Sequence, residues 1–334
     1  MKKNQMKKTL LVIAISFVSA STHAATLYDS DGLTYKINGD IQGQLRQKAG
    51  NDQDMDLEFD DLEIKNYVSY ELDRSMTAFG RIDFGFKDMA NDVSDNEKDD
   101  GQAELEEAYF GMAFDSMTVS FGKRATAADE FGVIKTIEND VADDDRFDAV
   151  ETSGDDVIHL ETKLQNITLI AAYEMRAKGS EKANDSHFDL FVSTELNGLE
   201  LGAAYQQFDA EGLRANGGDN GIDTYGLSIA YDFGQFEVAA DYSASDADDE
   251  TDSSNASQYN LATSFAASSN TEIAVGLTET DFDEQTGEED FAEYYANVTY
   301  KFPAHSNVRV FGEIKNTDLD DSDLGYLAGM RIKF

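Results

Sequence analysis

Five carboxylates crowd one short stretch of this chain, Glu138, Asp140, Asp143, Asp144 and Asp145, and Arg146 and Phe147 follow at once. Acids held this close do one kind of chemistry well. They concentrate cations and turn anions away, most strongly where a low-dielectric wall focuses their field. They lie in KRATAADEFGVIKTIENDVADDDRFDAVETSGDD, from Lys123 to Asp156, which has no hydrophobic period. An aperiodic segment of roughly thirty residues is either a functional loop or a disordered one.

No other constellation points to reaction chemistry. His159, His187 and His305 are scattered and no cysteine is present, so neither a metal centre nor a cofactor is expected. No Gly-rich stretch would cradle a phosphate, and no Ser, His and Asp spacing marks a catalytic triad. The chain is therefore not expected to be an enzyme. The Asp-rich stretches Asp246–Asp252 and Asp318–Asp323 lack the Gly-centred spacing of a twelve-residue calcium loop and read as a solvated face with weak divalent bridging. With 67 acidic against 26 basic residues, nucleic acid is excluded as a natural partner.

The elements that must position these acids are strands. Leu33, Tyr35, Ile37, Gly39, Ile41, Gly43 and Leu45 alternate with polar residues, the period of a strand with one face in an apolar medium and one in water. Similar runs fall near 62–72, 78–87, 103–114 and 117–124 before the acidic loop. After it they fall near 156–162, 166–176, 186–196, 199–208, 222–233, 236–245, 257–266, 271–279, 291–302, 307–316 and 324–334, giving sixteen in all. Tight turns such as Asn197-Gly198 and Phe233-Gly234-Gln235 alternate with longer polar loops at 91–101, 177–185, 209–221, 246–256, 280–290 and 317–323. All turns then lie at one end and all loops at the other. That is the plan of an all-β, sixteen-stranded antiparallel transmembrane β-barrel, closed because lipid tolerates no open edge.

Tyr231, Phe233, Phe236, Tyr300 and Phe302 would form an aromatic girdle at the membrane surface. A soluble sandwich would instead bury large aliphatics, whereas these faces are rich in Ala, Gly and Tyr. In such a barrel the acidic loop, about residues 125–155, is expected to fold into the bore and constrict a water-filled channel. A mobile acidic surface loop is the alternative.

Composition agrees with export. Lys2, Lys3, Lys7 and Lys8 precede the apolar stretch Leu10–Val18 and small residues ending at Ala24, the plan of a signal peptide over residues 1–24. Cleavage is expected after Ala24, with Ala20 or Ala25 as rivals, leaving residues 25–334 as the barrel. Removing four leader lysines leaves 22 basic residues against 67 acids, a charge of −45. One proline, no tryptophan, 15 tyrosines and 21 phenylalanines suit a chain made almost wholly of strands.

With ATLYDSDGLTYKINGDIQGQL at its start, Glu107–Met112 and Val119–Lys123 ahead of the acidic loop and Phe334 at its end, in that order, the mature chain resembles the general bacterial porins, the trimeric family of the Gram-negative outer membrane. ATLYDSDGLTYKINGDIQGQL resembles the family's opening. Glu107-Ala108-Tyr109-Phe110-Gly111-Met112 followed by Val119-Ser120-Phe121-Gly122-Lys123 resembles the pattern before its constriction loop. Tyr326, Ala328, Met330, Ile332 and terminal Phe334 resemble its last strand. The resemblance implies a homotrimer and passive diffusion of small hydrophilic solutes and cations. Contact with lipopolysaccharide, through divalent bridging by the Asp-rich outer loops, and with outer-membrane lipid is expected beside it, and the resemblance adds Phe334 as the signal read by the barrel-assembly machinery.

The family's third loop presents acids to basic residues on the opposite wall. Here the matching wall positions hold Asp40, Glu63, Glu106 and His159, which would remove most of that transverse field. Arg46, Arg81, Arg124 and Arg309 face inward by parity. The combination predicts a cation-selective channel.

Three other functions remain open at this level. A barrel protease or acyltransferase would be narrower than sixteen strands. A receptor or adhesin would carry larger surface loops. A sugar porin would need an aromatic track, and the inward-facing Tyr67, Phe79, Phe191, Tyr295 and Phe311 form no evident one.

Overall fold

Wherever the sequence alternates, the backbone is extended and paired. The computed structural model describes residues 24–51, 53–91, 103–176, 186–209 and 221–334. The expected leader falls on residues 1–24 and so lies, but for Ala24, outside them, as do most of the loops expected at 91–101, 177–185 and 209–221.

The strands are β1 (Ala25–Ser30), β2 (Leu33–Gln47), β3 (Asp56–Asp73), β4 (Met76–Gly85), β5 (Glu104–Phe114), β6 (Met117–Ala125), β7 (Ser153–Leu164), β8 (Ile167–Glu174) and β9 (Ser186–Leu196). They continue with β10 (Leu199–Asp209), β11 (Gly221–Asp232), β12 (Phe236–Ala247), β13 (Ala256–Ser268), β14 (Thr271–Phe282), β15 (Phe291–Phe302), β16 (His305–Thr317) and β17 (Gly325–Lys333). From β2 onward each strand pairs antiparallel with the next, and β17 returns to β2 through Lys333↔Asp40 to Tyr326↔Gln47. The result is a closed ring of sixteen strands, as expected.

β1 was not anticipated as a strand. It turns back through Asp31 and Gly32, both at positive φ, and pairs Ala25↔Ile37 to Ser30↔Leu33 on β2. The physical reason is an unfilled edge. β17 reaches only the upper part of β2, and β1 covers the lower part, so the two lie end to end against one strand. At the junction Gly39 and Phe334 exchange both backbone hydrogen bonds, at 2.9 and 3.0 Å. Each unpaired amide or carbonyl left there in lipid would cost several kcal/mol.

The usual inside-out pattern of a soluble protein is reversed. Gln206, Thr224, Ser243 and Thr278 are fully buried on the inner face, while Leu201, Leu227, Ile229, Val298 and Met330 are exposed on the outer one. On β15, Tyr294 and Phe302 both face outward, and the eight residue steps from one to the other span about 27 Å of tilted strand, on the scale of the apolar band of a barrel. Tyr231, Phe233 and Phe236 pack together at the turn end, and Tyr300 packs on Phe302. A second row, Tyr225, Tyr242 and Tyr259, runs across β11–β13 toward the loop end.

Inside, large rings from a neighbouring strand or from the loop lie on wall glycines. A Cβ at Gly276 would sit 2.3 Å from the Tyr295 ring, and one at Gly226 would sit 2.5 Å from Phe131. Such pairs fold bulky rings flat against the wall instead of across the bore.

Candidate functional site

Residues 126–152, between β6 and β7, run inside the barrel along its wall. The stem is closed by Thr126 N–H donating to the Thr152 carbonyl at 2.8 Å. The outgoing arm is extended, and alternate amides find acceptors on inward-facing side chains. Val133 N donates to Asp241 Oδ2 (2.9 Å), Lys135 N to Tyr295 Oη (2.8 Å) and Ile137 N to Glu313 Oε2 (2.7 Å). A lone extended segment has unpaired backbone donors, and wall acids supply what a neighbouring strand would.

The tip is held by Arg46 of β2. Its guanidinium meets Asp140 Oδ1 at 2.6 Å, Glu58 Oε1 at 3.0 Å and Glu138 Oε2 at 3.4 Å. Ala49 N donates to Asp140 Oδ2 at 2.8 Å. Lys315 donates to the Glu138 carbonyl and lies 3.5 Å from both Glu293 and Glu313. The chain then returns. Gln258 donates to the carbonyls of Asp143 (2.8 Å) and Asp144 (3.0 Å), Arg146 N donates to Ser243 (3.0 Å), and Gln206 donates to the Glu151 carbonyl (2.6 Å). Phe147, fully buried, packs 5.0 Å from Phe131 in a cluster with Ala127, Ala128, Phe191 and Ala204. The loop therefore lies along β9–β13, β15, β16 and the upper end of β2. Apart from Ser153, which donates to its near neighbour Glu151 where the loop ends, β4–β7 make no hydrogen bond with it among the described residues, which leaves that side of the bore for passage.

The five acids named from sequence do not form one ring. Glu138 and Asp140 are engaged by Arg46. Asp145 is 3% exposed and turns inward, where its Oδ1 accepts from Phe147 N at 2.8 Å. Asp143 is exposed and Asp144 half-buried. The other loop acids open to the lumen are Asp129, Glu130 and Asp148.

Their electrostatics reflect crowding. Asp129 is pushed up to about 7, first by the protein around it and then by Asp148, Glu130 and wall Glu107, with Arg124 acting the other way. Asp148 is pushed up to about 6 by burial and by Asp144. Burial, then Asp148, raises Asp145 well above the usual range. Glu138 is pushed up to about 8 by burial and by Asp60, against the pull of Arg46.

On the wall, Asp40 accepts from Arg331 Nε at 2.6 Å and lies 3.4 Å from Lys333. Glu63 pairs with Lys65 at 2.5 Å. Glu106 packs where a side chain on Gly85 would stand. Arg81 pairs with Asp83 (2.5 Å) and Glu107 (2.8 Å). Arg124 donates to Ser120 at 2.6 Å and lies 4.6 Å above the Tyr109 ring. His159 is buried opposite Ser120. Tyr67, Phe79 and Tyr109 touch in sequence, with ring centroids 6.2 and 6.3 Å apart. Phe191, Tyr295 and Phe311 are also buried.

A closed sixteen-stranded barrel with an inward loop has precedents. A family model described as Gram-negative porin matches residues 9–322. The chain belongs to the Gram-negative porin family. This porin is 29% identical over 352 residues to porin-like protein H of Photobacterium profundum, covering 98% of this chain and all of that one. It is 27% identical over 246 residues to the monosaccharide porin of a Halomonas species, covering 71% of this chain and 59% of that one. The trimer form of OmpT of Vibrio cholerae superposes with a TM-score of 0.75 at 15% identity, over 91% of this chain and 100% of that one, a likeness of fold. The protein is thus a pore-forming β-barrel of the outer membrane, and its named relatives are porins rather than enzymes.

Two groups at the porin's site escaped the sequence reading. Arg331 and Lys333 stand beside Asp40, so that wall carries cations as well as acids. The signal was present: with Ala328, Met330 and Ile332 outward, parity sends Arg331 and Lys333 inward. Asp129, Glu130 and Asp148 had no such signal, because an irregular loop has no parity.

Proposed function

We propose that this porin is a general diffusion channel, passive and cation-preferring, for small hydrophilic solutes. One observation carries the reading. The lumen-facing loop acids Asp129, Glu130, Asp143 and Asp148 are open, whereas three wall arginines already hold carboxylates: Arg46 holds Glu58 and Asp140, Arg81 holds Asp83 and Glu107, and Arg331 holds Asp40 and Asp61. A neutralised arginine contributes little net field, so the passage is left with excess negative charge. Reversal potential across a salt gradient in planar bilayers tests it. Cation preference that weakens toward 1 M salt supports it, and neutrality or anion preference at low salt overturns it.

Assembly as a homotrimer, with lipopolysaccharide at the acidic outer loops and Phe334 as the assembly signal, belongs to the same reading. The trimer form of the OmpT neighbour supports the first part. Cross-linking in native membranes tests it. A monosaccharide channel is a second reading, favoured by the Tyr67–Phe79–Tyr109 cluster. Phe79 and Tyr109 are only 8% and 6% exposed, which leaves Tyr67 alone to meet a sugar and makes the general channel the better account. Sugar block of ion current at millimolar concentration would reverse that choice.

A further inference from the structure

We propose that Arg309 is a docking point for the carboxylate of small organic acids, on the turn side of the loop constriction. This rests on the channel reading above. Arg309 lies on β16, four residues before Glu313, where the loop is fixed, and so about 13 Å further along the strand toward the turns. Phe311, Glu313 and Lys315 share its inward face by alternation.

Arg309 stands apart from the other wall arginines by lacking a partner. Arg46, Arg81 and Arg331 each hold two or more carboxylates, and Arg124 has Ser120 and the Tyr109 ring. Arg309 makes no hydrogen bond or ion pair among the described residues, and its Nε is shielded from solvent without an acceptor. Asp40, Asp61 and Glu272 lie near enough to act on it through space, but none bonds to it.

Its cross-strand neighbours sharpen the point. Arg309 is in register with Arg331 on one side and Lys301 on the other. Residues in register share a face, and like charges directly opposite are unfavourable. Of these three cations in a row only Arg331 is bonded to acids among the described residues, and Glu272 on the far side acts on Arg309 only through space, so the row is a place where an incoming anion is welcomed. An unused guanidinium offers a planar fork of N–H donors that matches the two oxygens of a carboxylate. Asp40 and Asp61, already on Arg331, disfavour a second negative charge. That selects a monoanionic carboxylate over phosphate dianion.

In a channel whose constriction favours cations, such a stop would give small organic anions a local residence that bulk selectivity would not suggest. The test is single-channel current in planar bilayers with gluconate, glucose or inorganic phosphate added on the turn side. Gluconate at millimolar concentration should produce transient block or excess current noise. Equimolar glucose, neutral and similar in size, should not, and phosphate at pH 8 should act at least threefold more weakly. Arg309→Gln should weaken the gluconate effect at least fivefold while leaving cation preference in plain salt in place. Arg309→Lys, which keeps charge but not the fork, should recover less than half of it. Equal block by gluconate and glucose in the unmodified protein overturns the proposal, and needs no variant. Gluconate block unchanged in Arg309→Gln also overturns it while the channel reading stands. Absence of any ohmic conductance in the unmodified protein would instead remove the channel reading beneath it.

Discussion

Replacing Asp129 with Asn tests the origin of selectivity, because its effect must depend on pH. Asp129 is open to the lumen, and its carboxyl is pushed up to about 7 by surrounding protein and by Asp148, Glu130 and Glu107. It is therefore charged at pH 8.5 and neutral at pH 5.5. A unit charge ~5 Å from a passing ion in water is worth about 0.8 kcal/mol, cut to about 0.4 by the ~8 Å Debye length at 0.15 M salt. The same charge favours a cation and disfavours an anion, so the permeability ratio changes by about 0.9 kcal/mol, or roughly fourfold. At 1 M salt, with a Debye length of ~3 Å, the change falls below about twofold. Reversal potentials for the two proteins at pH 8.5 and 5.5 measure this. Asp129→Asn should reduce cation preference about fourfold at pH 8.5 and hardly at all at pH 5.5. An equal effect at both values would refute the crowding argument. No effect at pH 8.5 would place the ion path away from the loop stem.

Arg46→Gln leaves Glu58 and Asp140 without their shared cation, and loss of one partner of a buried ion pair costs about 3–5 kcal/mol. The loop tip should loosen, seen as larger open-channel noise; a quiet channel would mean that Lys315 and Glu313 suffice. Glu138 is pushed up to about 8 in the seated loop from an ordinary carboxyl value of 4.5, so its support for seating is fully present only below about 4.5, falls as pH rises, and is gone by about 8. Open-channel noise should therefore rise between about pH 5 and 8 and level off above that, and Glu138→Gln should abolish that rise; a rise that survives the substitution belongs to another group. A Cβ at Gly39 would stand 2.4 Å from the Phe334 ring and 2.7 Å from the Glu63 carbonyl. Gly39→Val should thus lower the yield of heat-modifiable folded barrel on gels, as should deletion of Phe334, and full yield in both would remove the closure role assigned to this junction.

Strand number, strand order and the side on which the loops lie were legible because alternation is local. A strand that meets lipid on one face and water on the other must repeat every two residues, whatever its partners. Parity also gave the inward direction of Arg46, Arg81, Arg124 and Arg309, and it held the same information for Arg331 and Lys333. The loop offered no such rule. Between Lys123 and Asp156 each side chain points where a distant wall group receives it, and Glu138 and Asp140 find Arg46 more than ninety residues away. Burial of Phe131 and Phe147 against Phe191 turns Asp145 inward and leaves Asp129 and Asp148 toward the lumen. β1 depended in the same way on the length of β17, since only the closed ring leaves the lower edge of β2 unpaired. The acids were visible in the sequence, but their duties were decided by closure, which brings cations from β2 and β16 to the tip of one loop.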